Sequence, residues 1–196
     1  MALDRSRLGL VHVYTGNGKG KTTASLGLAM RALGHDLRVY MAQFMKMGYT
    51  GEIINVKRND LPIDIEPFSV KCTNDAMHQL QIRQGTFEGY CRQCFAPAEY
   101  DREKALEAFE HSKAAATSGL YDLVILDEIN VVLSKGLLET ARVLELIGSK
   151  HRNTELVLTG RNAPREIMEK ADYVTEMTAI KHPMNSGVTA RKGIEF

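Results

Sequence analysis

Gly16-Asn17-Gly18-Lys19-Gly20-Lys21-Thr22-Thr23 follows the apolar run Leu10 to Tyr14 and opens a helical pattern, and its reading decides the fold. Glycines let successive backbone N–H groups curl around anionic oxygens at a helix N-terminus, where the helix dipole also favours negative charge. Lys21 then offers a point charge to phosphate and Thr22 a hydroxyl to magnesium. Together Gly16, Asn17, Gly18, Lys19, Gly20, Lys21, Thr22 and Thr23 read as a cradle for a nucleoside triphosphate. The usual spacing puts a first glycine five residues before Gly20, where this chain has Thr15, and an extra cation, Lys19, sits inside the loop. A glycine-rich turn beside a basic patch has no need of strand, loop and helix in this order, so nucleotide binding is the stronger reading.

The chain has 196 residues, 44% of them hydrophobic, which suits one well-buried core and a single domain spanning 1–196. A net charge of +1 exerts no global pull on nucleic acid or anionic membrane, so neither is an expected partner and anion recognition must be local. No apolar stretch approaches the roughly 20 residues that span a bilayer. Met1 to Arg7 lacks the apolar core of a signal peptide, so a cytoplasmic protein is expected. Three cysteines in such a chain argue against a disulfide framework.

Apolar, β-branched runs at Leu8 to Tyr14, Leu37 to Phe44, Ile63 to Phe68, Leu123 to Leu126 and Leu156 to Thr159 alternate with helical periodicity. That alternation gives an α/β class, a mainly parallel sheet flanked by helices. The helix after the loop is expected to turn Ala24, Leu28, Ala29 and Ala32 inward and to end at Gly34. Further helices are expected over Glu99 to Ser118, closed by Gly119, and over about Leu137 to Ile147 and Pro164 to Ala171. Between Lys46 and Ala98 the periodicity is broken by Gly48, Gly51, Pro62, Pro67, Gly85, Gly89 and Pro97, which reads as a long irregular segment of the kind that is functional or mobile.

Asp122 to Glu128 is an apolar strand ending in two carboxylates, the pattern that sets an acid beside the magnesium of a bound nucleotide. The plainer alternative makes Asp127 a cap for the next segment and leaves Glu128 solvated. Arg161 follows another apolar strand, at the end where ligands collect in open parallel sheets, and suits a bidentate phosphate clamp. An ion pair with Glu166 is its alternative. Cys91 and Cys94 have C-x-x-C spacing, and with Cys72 and His78 a four-ligand zinc set can be drawn, although packed reduced thiols are commoner. These motifs leave hydrolysis, phosphoryl transfer and attack elsewhere on the nucleotide open.

Thr15 to Thr23, Gln43-Phe44, Gly51-Glu52, Leu126-Asp127-Glu128, Thr159-Gly160-Arg161, Lys181-His182 and the closing Gly193-Ile194 are the motifs of a wider match. In this combination the chain resembles the ATP:corrinoid adenosyltransferases of the CobA/BtuR type. The resemblance is in register from Gly9 to Gly51 and from Tyr121 to Phe196, and the segment from Glu52 to Ala98 diverges. It implies a RecA-like P-loop NTPase fold, usually a homodimer. It also implies transfer of the 5′-deoxyadenosyl group of ATP to the cobalt of a reduced corrinoid, cob(I)alamin or a precursor, with release of triphosphate, in coenzyme B12 synthesis or salvage.

On that resemblance Lys21, Glu128 and Arg161 are the catalytic candidates, and Thr22, Asp127 and Glu128 hold magnesium or manganese. Phe95 faces the corrinoid, and a flavoprotein supplies the reducing electron. Cobalt(I) is an unprotonated nucleophile, so displacement at the ribose 5′-carbon requires no general base. Two rival classes stand beside this one. The first is a P-loop nucleoside kinase of the thymidine kinase type, whose cysteines follow the acidic strand, whereas Cys91 and Cys94 precede it. The second is a nucleotide-dependent corrinoid-binding protein without turnover.

Overall fold

The apolar runs become the strands of one six-stranded parallel sheet in the computed structural model, which describes residues 4–46, 50–68, 75–84 and 99–195. The strands are β1 (Val11–Thr15), β2 (Val39–Phe44), β3 (Ile63–Phe68), β4 (Leu123–Asp127), β5 (Glu155–Thr159) and β6 (Tyr173–Glu176), in the spatial order β3-β2-β4-β5-β1-β6. Each of the five pairings is parallel. The helices are α1 (Lys21–Leu33), α2 (Gly51–Arg58), α3 (Asp75–Gln84), α4 (Glu99–Thr117), α5 (Ile129–Ser134), α6 (Thr140–Ser149) and α7 (Arg165–Lys170). This is the expected α/β, RecA-like P-loop arrangement, with β5 alone between the strand that feeds the glycine loop and the strand that ends in the acids.

Alternation along the strands divides the core into two layers, because successive side chains point to opposite faces. Val124 and Leu126 pack with Phe109, Val143, Leu146 and Ile167, while Leu123 and Ile125 pack with Ala29, Ala32 and Met41. The interior strands β2 and β4 are buried along their whole length, as expected of parallel strands covered on both faces. Fully burying a side chain such as Phe109 or Leu146 contributes about 1.5–3 kcal/mol.

Several elements depart from the sequence expectation. Edge strand β6 is exposed throughout and only four residues long, so it carries no apolar signal. Within the segment read as irregular lie α2, which starts at Gly51, and α3, which ends at Gln84 just before Gly85. Helix α5, six residues long, is too short to establish a period. On α1, Ala24 is exposed and Ser25 is buried in its place, its Oγ donating to the Thr22 carbonyl at 2.8 Å, while Ala29 and Ala32 face inward as expected.

Register brings the strand ends together. Gln43 pairs with Asp127 across β2 and β4, Leu126 with Leu158 across β4 and β5, and Tyr14 with Thr159 across β1 and β5. The polar residues that close these strands therefore meet at one edge of the sheet, where α1 begins.

Candidate active site

Thr15 ends β1 as a buried strand residue, and its hydroxyl accepts a hydrogen bond from the Ala163 N–H at 3.2 Å. The position usually given to the first glycine thus needs a strand conformation and a side-chain oxygen here. The turn falls to Gly16, at φ 91°. A Cβ on Gly16 would lie 2.4 Å from the Met177 carbonyl oxygen, and one on Gly18 would lie 2.7 Å from it. The Gly18 N–H donates to that same oxygen at 2.7 Å. These two glycines therefore also let the chain leaving β6 pass against the loop.

Lys21 is 7% exposed, and its Nζ bridges the loop, donating to the carbonyls of Gly16 and Gly18 at 2.8 Å each. Burial lowers its pKa, against the opposing pull of Glu128. Asn17, Lys19 and Thr23 are exposed. Asn17 Oδ1 accepts from the Ala179 N–H at 3.1 Å and Lys19 Nζ donates to the Ile194 carbonyl at 3.3 Å, so the C-terminal segment borders the loop.

The second half of the site centres on Asp127, which is fully buried. Its Oδ1 accepts from Thr22 Oγ1 at 2.9 Å and Thr159 Oγ1 at 2.6 Å; its Oδ2 accepts from Lys46 Nζ at 2.5 Å and more distantly from Gln43 Nε2 at 3.4 Å. Lys46 Nζ also donates to Thr22 Oγ1 at 3.0 Å and lies 3.8 Å from Glu52 Oε1. Gln43 Nε2 donates to the same Glu52 oxygen at 2.8 Å. Burial disfavours the Lys46 charge, but Asp127, Glu52 and Glu128 outweigh it and raise its pKa.

Asp127 is not the cap considered from sequence. Glu128 holds the N-cap position of α5, at φ 67°, a left-handed conformation that non-glycine residues adopt rarely and that concentrates at functional sites. Its N–H donates to Thr159 Oγ1 at 3.0 Å. Nor is Glu128 a solvated bystander: burial and the neighbouring Asp127 raise its pKa, while Lys46, Lys21 and Arg161 pull it back.

A hydroxyl and a carboxylate converging on one cation are the hard oxygen donors that suit magnesium or manganese. Here the Lys46 ammonium is the cation on Thr22 Oγ1 and Asp127 Oδ2. Gln43 Oε1, buried beside them, has no partner among the described residues, which leaves an acceptor for a water of a hydrated ion. The residues present therefore fit a divalent ion at Thr22 and Asp127, with Glu128 adjoining.

Arg161 is exposed just beyond β5, and its charge reaches both Lys21 and Glu128. The ion pair of the following helix joins Arg165 to Glu169 at 2.7 Å and leaves out Glu166. Cys72, Cys91, Cys94 and Phe95 lie outside the described residues, as does the side chain of His78, so the expectations of a zinc set and of a corrinoid contact fall outside them as well. Among the described residues no cluster of three or more His, Cys, Asp or Glu is arranged to hold a metal.

Gln43, Lys46, Glu52 and Thr159 belong to the site without having been assigned a role from sequence. A signal for three of them existed: Gln43, Glu52 and Thr159 stand in the motifs that carry the resemblance, and Gln43 and Thr159 are polar residues at or near the ends of largely apolar strands, Gln43 level with Asp127 in the sheet.

A glycine loop at the start of α1, joined through Thr22 to a buried acid two strands away, defines an α/β nucleotide-binding protein of the P-loop class. The chain belongs to the ATP:corrinoid adenosyltransferase BtuR/CobO/CobP family, whose profile matches residues 7–196. The corrinoid adenosyltransferase of Pseudomonas aeruginosa is 34% identical over 197 residues, covering 100% of this chain and 88% of that protein. The corrinoid adenosyltransferase CobA of Salmonella typhimurium is 33% identical over 188 residues, covering 96% and 86%. Among solved structures, domain III of the Thermotoga maritima replication initiation protein DnaA aligns at a TM-score of 0.38 and 14% identity, over 88% of this chain and 55% of that one. So loose a likeness carries no argument. No helix among the described residues is long and apolar enough to cross a membrane.

Proposed function

We propose that this chain transfers the 5′-deoxyadenosyl group of ATP to the cobalt of a reduced corrinoid and releases triphosphate, in cobalamin biosynthesis or salvage. The observation that carries the reading is the meeting of the glycine loop with buried Asp127 through Thr22 Oγ1, in a chain of the ATP:corrinoid adenosyltransferase family.

The cobalt electron pair attacks the ribose 5′-carbon, a cobalt–carbon bond forms, and the carbon–oxygen bond breaks with its electrons leaving on the triphosphate. The nucleophile carries no proton, so Glu128 has no base to be and acts through its charge. Negative charge grows on the departing bridging oxygen, and fixed cations there lower the barrier. Lys21 supplies one by exchanging the Gly16 and Gly18 carbonyls for phosphate oxygens, and Lys19 and Arg161 supply others from the exposed rim. Thr22 and Asp127, with Glu128 adjoining, would hold magnesium or manganese, whose charge when bound neutralises the triphosphate. Thr159 keeps Asp127 oriented by donating to Oδ1.

Phe95 is proposed to face the corrinoid ring, where an apolar wall would exclude water from the cobalt. A single domain over 1–196, a homodimer, a cytoplasmic location and a flavoprotein electron source complete the proposal; of these the homodimer and the flavoprotein rest on the family resemblance. The test is product analysis with ATP and a chemically reduced corrinoid. Triphosphate release that depends on the reduced corrinoid supports the reading, and ADP or orthophosphate as the sole phosphate product defeats it.

A further inference from the structure

The Lys46 ammonium lies on Thr22 Oγ1 at 3.0 Å and Asp127 Oδ2 at 2.5 Å, with Glu52 Oε1 at 3.8 Å. Two of these oxygens are the ones assigned to the divalent ion. Magnesium binds oxygen at about 2.0–2.1 Å, so an ion drawing on both oxygens needs the space the ammonium fills. We propose that Lys46 is the resident cation of the metal site in the nucleotide-free protein, so that the protein alone resists divalent ions and the metal enters only together with ATP. The inference rests on the assignment of Thr22 and Asp127 to the metal.

Two observations and the charge that ATP brings bear on this exchange. Met45, the residue between the end of β2 and Lys46, has φ 55°, a left-handed conformation that non-glycine residues adopt rarely and that concentrates at switching and functional sites. Asp127 is fully buried and has Lys46 as its closest ion-pair partner, so an ion arriving without phosphate has to displace that ammonium from Asp127 Oδ2 with no new anion to receive it. ATP changes this balance, because its phosphates bring the negative charge that a displaced ammonium needs. The lysine side chain is a compact charge on a flexible four-carbon stem, which lets the ammonium follow the triphosphate while its backbone stays in place.

Manganese(II) serves as the probe, titrated into the protein without nucleotide and followed by the paramagnetic resonance of the free ion. Wild type and Lys46→Arg are expected to bind it weakly, and Lys46→Gln, which is neutral yet still hydrogen-bonds, to bind it about tenfold more tightly or better. A calorimetric arm measures Mn2+–ATP binding to wild type and Asp127→Asn. Equal Mn2+ affinity in wild type and Lys46→Gln, with Mn2+–ATP binding still weakened by Asp127→Asn, overturns the lysine inference and leaves the metal assignment standing. Unchanged Mn2+–ATP binding in Asp127→Asn overturns the assignment, and the inference with it. A measurement on wild type needs no variant to fold: acylation of Lys46, read by mass spectrometry, is expected to be unaffected by Mg2+ alone and changed by Mg2+–ATP. A response to Mg2+ alone, or none to Mg2+–ATP, contradicts the exchange.

Discussion

Thr22 and Asp127 lie 105 positions apart in the chain and are joined by a 2.9 Å hydrogen bond from Thr22 Oγ1 to Asp127 Oδ1. That bond ties the first turn of α1 to the end of β4, and Lys46 completes the arrangement from the end of β2. Asp127→Asn leaves the Lys46 ammonium, with only 21% of its side chain exposed, without its main partner. The expected loss is about 3 kcal/mol of stability, at the lower end for a broken buried pair. Denaturant unfolding measures it, and Asp127→Asn with Lys46→Gln should recover much of the loss because the two residues are coupled. A double variant no more stable than Asp127→Asn would contradict the coupling.

Gly18→Ala places a methyl 2.7 Å from the Met177 carbonyl oxygen, which is itself bonded to the Gly18 N–H. Overpacking against backbone is expected to destabilise by about 1–3 kcal/mol. The variant should melt at a lower temperature even without nucleotide, because the conflict is with the chain leaving β6. A melting temperature equal to wild type would mean that the glycine serves phosphate alone.

Lys21 and Phe95 are assigned to different substrates. Lys21→Ala is expected to lower turnover by about 10²–10³, the scale for losing a group that stabilises developing charge, and to weaken ATP binding. Phe95→Ala should leave ATP affinity intact and impair use of the corrinoid. Equilibrium ATP binding measured beside corrinoid-dependent turnover separates the two, and equal loss of ATP affinity in both would defeat the division.

Tyr121 Oη donates to Asp64 Oδ2 at 2.7 Å, and this bond, then burial, pushes the phenol up to about 12 from a reference of 10.0. An unfolded chain releases this proton near 10.0 while the folded protein keeps it, so the unfolded state binds fewer protons above that pH. The stabilisation is fully present below pH 10.0 and is lost as pH rises toward about 12. The stability gap between wild type and Tyr121→Phe should therefore narrow across this window in urea titrations. A gap independent of pH would show that the phenol is not linked to folding.

Much of this was legible in the sequence because long apolar runs and the glycine loop follow simple periodicities. Strands β1 to β5 and helices α1, α4 and α6 all carried such a signal, and α7 was marked by Pro164 at its start. Strand β6 was not legible, since an exposed four-residue edge strand buries nothing that would pattern it. In the site, Lys21, Thr22, Asp127 and Glu128 stood out because their neighbours in sequence form motifs. Lys46 did not, and Glu52 stood in the Gly51-Glu52 motif without a role, because their meaning arises only when the end of β2 is brought beside Asp127. Thr159 stood in a motif too, but its role was hidden for the same reason: its hydroxyl matters through Asp127 Oδ1 and the Glu128 N–H, 32 and 31 positions away.

The central claim is that the ribose 5′-carbon takes the attack and the triphosphate leaves whole. ATP labelled with oxygen-18 at the bridge between the 5′-carbon and the α-phosphorus, reacted with a reduced corrinoid, tests it directly by mass spectrometry of the products. The account predicts that the label departs with intact triphosphate while the adenosyl group gains a cobalt–carbon bond. Label retained on the adenosine side would place the cleavage between phosphorus and oxygen and contradict it.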